Sequence, residues 1–276
     1  MHSLRSILVH MDSSSRCRAR LMAARALALA HEATVTAVLA EAIELVDTPY
    51  SYSAGAVAGD EMEALSMSRG AGARAMFDAV LDMQPQAAFV ELPAGSPAWA
   101  VARLACCADL LLLGQPDPGS RASARLPADF VPAVIAASGR PALVWPASGR
   151  FEQPADTALV AWTHTPASAR ALAGALPLLR KARRVHVVSW AEEPLPAAGA
   201  LDVGAYLALH GVTATVQRHA RAPQRIGPAL LALCTDIDAQ LLVMGCYGHS
   251  RAQELLLGGT TRDMLRAMTV PVLMAH

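Results

Sequence analysis

Lysine is almost missing from this chain. Of its 23 basic residues only Lys181 is not an arginine, a bias read first as a coding preference. Aromatic residues make up 4 % of the sequence, which leaves little material for stacking on single-stranded nucleic acid. The 23 basic residues are balanced by 23 acidic ones, so no electrostatic footprint for nucleic acid is present. The five cysteines (Cys17, Cys106, Cys107, Cys234 and Cys246) form neither a CxxC pair nor a zinc spacing. That odd count fits reduced thiols in a cytoplasm, acting mainly as small buried hydrophobes. No window approaches the roughly 18–20 apolar residues that a membrane span needs. MHSLRSILVHMD, whose apolar run ends at Asp12, is expected to carry no export signal. The nine histidines make no HxH or HxxxH pair, so no dedicated metal centre is expected.

What is abundant is aliphatic sequence. Hydrophobic residues reach 54 % against 17 % charged, a globular composition, and 276 residues suit two domains. The chain also repeats itself. SILVHMDSSSRCRARLMAARALALAHEATVTAVLA reads as strand, turn, amphipathic helix and strand, and TALVAWTHTPASARALAGALPLLRKARRVHVVSW returns in the same order. ADLLLLGQPDPGSR has its counterpart in AQLLVMGCYGHSR, and RPALVWP in VPVLMAH. The strands are uninterrupted aliphatic runs, as burial on both faces of a parallel sheet produces. Strands alternating with helical segments predict two tandem doubly wound α/β domains, at 1–150 and 151–276, separated by the Pro- and Gly-bearing stretch Pro146–Thr157. Pro49–Gly72 reads as a loose loop feeding a helix from Glu61 onward. Thr165, followed by Pro166, is a good helix N-cap in the second half, and Asp12 or Ser13 is its expected equivalent in the first.

The stretch GCYGHSRAQELLLGGTT, Gly245–Thr261, lies where an open parallel sheet binds ligands, beyond the carboxyl end of a strand and before a helix. Glycine there lets backbone amides approach an anion with no Cβ in the way. Thr260 and Asp263 have a capping-box spacing, and Arg251 and Arg262 would add positive charge near a phosphate. The plainer alternative is that these glycines are turn and cap residues. GHSRA, with Asp263 and His276 downstream, also brushes against a nucleophile-elbow pattern, but Ser250 lies too far past the strand for that fold.

At Gly245, Gly248 and Gly258, spaced G-x2-G-x9-G, the chain resembles the universal stress protein family in a tandem two-domain form. The resemblance implies a five-stranded, Rossmann-like sheet per domain, an intramolecular pseudo-dimer, and a role in stress survival. It also implies ATP or another adenine nucleotide, with Mg²⁺ accompanying it, held as a regulatory ligand in the second domain. Its contacts would come from Ala161, Trp162, Thr163, Trp190, Met244, Gly245, Tyr247, Gly248, Arg251, Gly258, Gly259 and Thr260. Thr163 stands where the family usually has an Asp, and Gly259 where it has Ser or Thr. The first half keeps Asp12, but its loop GQPDPGSRASARLPADF loses amides to Pro116 and Pro118 and lacks a spaced glycine. It therefore reads as a degenerate partner domain. No residue is placed to activate water, so any ATP hydrolysis is expected to be slow. A nucleotide-independent interaction module and a weak ATPase are the competing readings, and further homodimerisation is open.

Overall fold

The computed structural model describes residues 3–14, 16–41, 55–82, 86–93, 96–116, 125–148, 155–190, 202–246 and 259–276. The first half runs β1 (Ser6–Met11), α1 (Cys17–His31), β2 (Thr34–Leu39), α2 (Gly55–Leu81), β3 (Ala87–Glu91), α3 (Pro97–Ala105), β4 (Leu110–Gly114), α4 (Phe130–Ser138) and β5 (Ala142–Trp145). The second runs β6 (Thr157–Ala161), α5 (Pro166–Leu179), β7 (Arg184–Trp190), α6 (Val203–Leu209), β8 (Ala214–His219), α7 (Ile226–Asp236), β9 (Leu241–Gly245), α8 (Thr260–Ala267) and β10 (Val272–Ala275).

Ten strands form one sheet in the order β3-β2-β1-β4-β5-β10-β9-β6-β7-β8. Each half is parallel throughout and has the order 3-2-1-4-5. The halves meet through a single antiparallel pair, with Leu143 opposite Leu273 and Val144 opposite Val272. The aliphatic runs have the expected cause. Leu110 and Leu112 pack into the core beneath α1, α2, α5 and α6, whereas Leu111 and Leu113 pack beneath α3, α4, α7 and α8. Burying each such leucine contributes about 1.5–3 kcal/mol relative to exposure. Gln115, just past β4, also ties the halves together. Its side-chain amide donates to the Leu265 carbonyl at 3.0 Å and accepts from the Ala147 amide at 2.7 Å.

Three expectations need correction. α2 starts at Gly55, not Glu61, because the Ala-, Met- and Glu-rich composition outweighs its scattered glycines. α1 starts at Cys17 with Arg16 at its N-cap and no side-chain cap. Asp12 instead accepts from the Ser14 amide at 3.0 Å, closing a local Asx-type turn before the helix. Cys17, Cys234 and Cys246 are buried as expected, but Cys106 and Cys107 lie exposed in the turn after α3. Half of the expected linker, residues 149–154, lies outside the described residues.

Candidate functional site

The carboxyl ends of β6 and β9 lie side by side at the centre of the second half, with Ala161 in register with Met244. Gly245 closes β9 against the first turn of α5. A Cβ built on it would sit 2.5 Å from the Ser168 amide nitrogen and 2.8 Å from the Ala167 carbonyl carbon. Only glycine lets the strand end approach that backbone. The helix is capped as its sequence predicts: Thr165 accepts from the Ser168 amide at 3.2 Å, and Pro166 opens the first turn. Thr163 folds back onto this cap. Its amide donates to Ser168 Oγ and its hydroxyl lies 3.2 Å from that of Thr165.

The expected contact residues divide between the two faces of the sheet. Ala161, Met244 and Trp190 pack on the α7/α8 side, where Met244 is buried and Trp190 is stacked against His219 with ring centroids 6.1 Å apart. Trp162 alternates to the opposite face and packs against the α5/α6 core, edge-on to His164. It therefore does not join Ala161 and Trp190 on one wall. Gly259 and Thr260 form the start of α8, whereas Tyr247, Gly248, Arg251 and Gly258 lie outside the described residues.

The capping-box expectation at α8 does not hold. Gly259 occupies the N-cap with no side-chain cap, and Thr260 is already helical. Asp263 is drawn sideways instead, accepting from Arg225 at 2.9 Å across the α7 junction. Its charge is thus matched by a guanidinium, while among the described residues the first-turn amides of α8 lack a side-chain cap. The hydrolase pattern fares no better. Asp263 is engaged with Arg225, and His276 Nδ1 lies 3.4 Å from the Cys246 carbonyl, while Ser250 lies outside the described residues.

The first half has a different arrangement at the equivalent place. Superposing Gly114 on Gly245 through the strand registers sets Asp12 against Thr163, and the same offset sets Arg20 against Ala171. Arg20 is fully buried. Its guanidinium lies 2.9 Å from Asp12 Oδ2, and its Nε donates to the His10 carbonyl at 2.8 Å. A Cβ on Gly114 would collide with that guanidinium. Burial pushes the Asp12 carboxyl up, but Arg20, His10 and the Ser14 hydrogen bonds outweigh it and hold its pKa at about 2. Burial lowers the pKa of His10, whose Nε2 lies 2.9 Å from the Ala40 carbonyl. Glu41 closes the cluster, accepting from the Ser13 amide at 2.6 Å with Arg69 and Arg125 within 4 Å. Sequence reasoning missed Arg20. The available signal was a charged residue on the apolar stripe Cys17, Arg20, Leu21, Ala24, Leu27, Ala28 and His31.

Two Rossmann-like units in one chain, joined edge to edge and each with a glycine closing its fourth strand, define a tandem doubly wound α/β protein. Residues 155–276 match the model of the Universal stress protein family. A universal stress protein of Mycobacterium tuberculosis is 31 % identical over 83 residues, covering 30 % of this chain and 28 % of that relative. The chain thus spans under a third of the length of the curated relatives it matches. The crystal structure of a universal stress protein from Archaeoglobus fulgidus aligns with 98 % of this chain and 95 % of its own, at 17 % identity and a TM-score of 0.69. A putative universal stress protein from Pseudomonas aeruginosa aligns with 99 % of this chain and 93 % of its own, at 15 % identity and a TM-score of 0.58. The second half therefore carries the universal stress protein pattern in sequence, and the whole chain has the fold of such proteins.

Proposed function

We propose that the chain is a stress-response protein that binds an adenine nucleotide in its second half as a regulatory ligand. The observation that carries this reading is the glycine at each end of the segment, Gly245 closing β9 and Gly259 opening α8. Gly245 brings the end of β9 onto the α5 backbone, and among the described residues the α8 N-terminus has no side-chain cap. Such an N-terminus offers amides and the positive end of the helix dipole to a phosphate. The Arg225–Asp263 pair removes the objection that a bare carboxylate stands beside it. Trp190, half-buried on the same face, supplies an aromatic surface for a base. ATP, with Mg²⁺, is the ligand the family resemblance points to, and the glycine loop Gly245–Thr261 is its cradle.

Calorimetric titration of the nucleotide-stripped protein with Mg-ATP, AMP and GTP tests the reading. Saturable binding at one site per chain, favouring adenine and abolished by Gly248→Leu or Gly258→Leu, is the expected result. No binding at about 1 mM ATP, a free-energy scale near −4 kcal/mol, would overturn it. One observation favours a second reading, that of a nucleotide-independent interaction module. Thr163 offers no carboxylate for a ribose, and its hydroxyl is turned onto Thr165. A partner captured equally well with and without nucleotide would support that alternative.

A further inference from the structure

A cavity of about 60 Å³ lies on the α1/α5 face of the sheet, beside the junction of the two halves. Its walls are Ala26, Leu27, Leu143, Trp145, Leu178 and Pro271, contributed by both halves. It is on the opposite face from Trp190 and α8, so it is separate from the site proposed above. At roughly 10–15 Å³ per water, it has room for about four to six waters.

Its polar groups are few and of one character. His31, at the end of α1, is only 5 % exposed, and its Nε2 has no hydrogen-bond partner among the described residues. An unpaired buried imidazole nitrogen costs stability and calls for a partner. Lys181, the sole lysine in the sequence, stands at the mouth, close enough to act with burial in lowering the His31 pKa. Gln240 also lines the cavity, but its side chain is occupied. Its Oε1 accepts from the Asp156 and Thr157 amides, and its Nε2 donates to the Asp238 carbonyl. No Asp or Glu is among the described lining residues. An apolar body with one convergent polar end is the form small-molecule sites take. Here that polar end faces an ammonium and an imidazole, which together select an anion.

We propose that this cleft binds a small organic carboxylate with a compact apolar body, whose carboxylate pairs with the Lys181 ammonium and the His31 imidazole. Water alone is a poor occupant, since the apolar walls give it few of the two to four partners it needs.

The probes are benzoate and its uncharged isostere benzamide, titrated into the full chain by calorimetry. Saturable benzoate binding, one per chain, is expected, with benzamide about tenfold weaker. Lys181→Met keeps the aliphatic stem and removes the charge, so it should bring benzoate down to the level of benzamide and leave benzamide unchanged. His31→Leu should weaken benzoate without lowering the melting temperature, because it removes an unpaired nitrogen. Ala26→Leu fills the cavity and should abolish binding of both probes while the circular dichroism spectrum stays native. As a second readout, acylation of the single lysine is followed by mass spectrometry, and benzoate should protect it. Absence of saturable benzoate binding at about 20 mM, well beyond the millimolar range of weak ligands, would overturn the proposal. Binding unaffected by Ala26→Leu, or equally strong in Lys181→Met, would overturn it as well. Loss of nucleotide binding leaves this test untouched, since neither probe nor variant involves the α8 face.

Discussion

The two halves place different chemistry at the same point of the same fold. Beyond β1 and β4, a buried guanidinium fills the space: Arg20 holds Asp12, and Gly114 is bare to make room for it. Beyond β6 and β9, Ala171 replaces the arginine and Thr163 the aspartate, and Gly245 is bare for another reason, close backbone approach to α5. At this point the first half pairs the buried Asp12 and Arg20 with each other. In the second, the amides at the start of α8 have no side-chain cap among the described residues. A shared glycine therefore does not imply a shared task.

The contrast can be broken most forcefully at Asp12. Asp12→Ala strands the buried Arg20 charge and should cost about 3–5 kcal/mol in urea unfolding. Replacing both Asp12 and Arg20 with leucine should recover most of that loss. Thr163→Ala, its counterpart, should stay within about 1 kcal/mol, and equal losses at the two sites would erase the distinction. Gly245→Ala drives a methyl group into the Ala167–Ser168 backbone and should lower stability by about 1–3 kcal/mol, measured by thermal unfolding. Acid sharpens the comparison further. The folded-state pKa of Asp12 is depressed from 3.8 to about 2, so its contribution is complete above the unfolded value and is lost as pH falls through about 2. That contribution is on the order of 2 kcal/mol, and an acid titration of Asp12→Asn should lack it. The smallest effect belongs to the second half's own cap. Thr165→Ala removes the bond from the Ser168 amide and should cost about 1 kcal/mol.

The architecture was legible because it is written in repeated local patterns. The aliphatic runs LLLLG and LLVMG became strands β4 and β9, and RPALVWP and VPVLMAH became the pair that joins the halves. The Thr165–Pro166 helix start was legible for the same reason, since a cap and its amide lie three residues apart. The site was harder to read because its partners are distant along the chain. Asp263 looked like a capping carboxylate, but Arg225, 38 residues away, engages it. Trp162 is expected among the nucleotide contacts together with Trp190, but the pleat sets it on the other face. Arg20 could have been noticed on its apolar stripe, yet only the fold shows that Asp12 lies within its reach.

The antiparallel β5/β10 seam has a consequence for divergence. In a symmetric dimer of identical chains, every substitution appears twice, at equivalent places on both subunits. Here the two partners are encoded separately and held together covalently, so dilution cannot separate them by mass action. One half can acquire an arginine where the other keeps an alanine, and neither change is copied across the seam. Inheritance in tandem has released the molecule from its own symmetry, so that a buried ion pair stands in one half where the other has a threonine and an alanine.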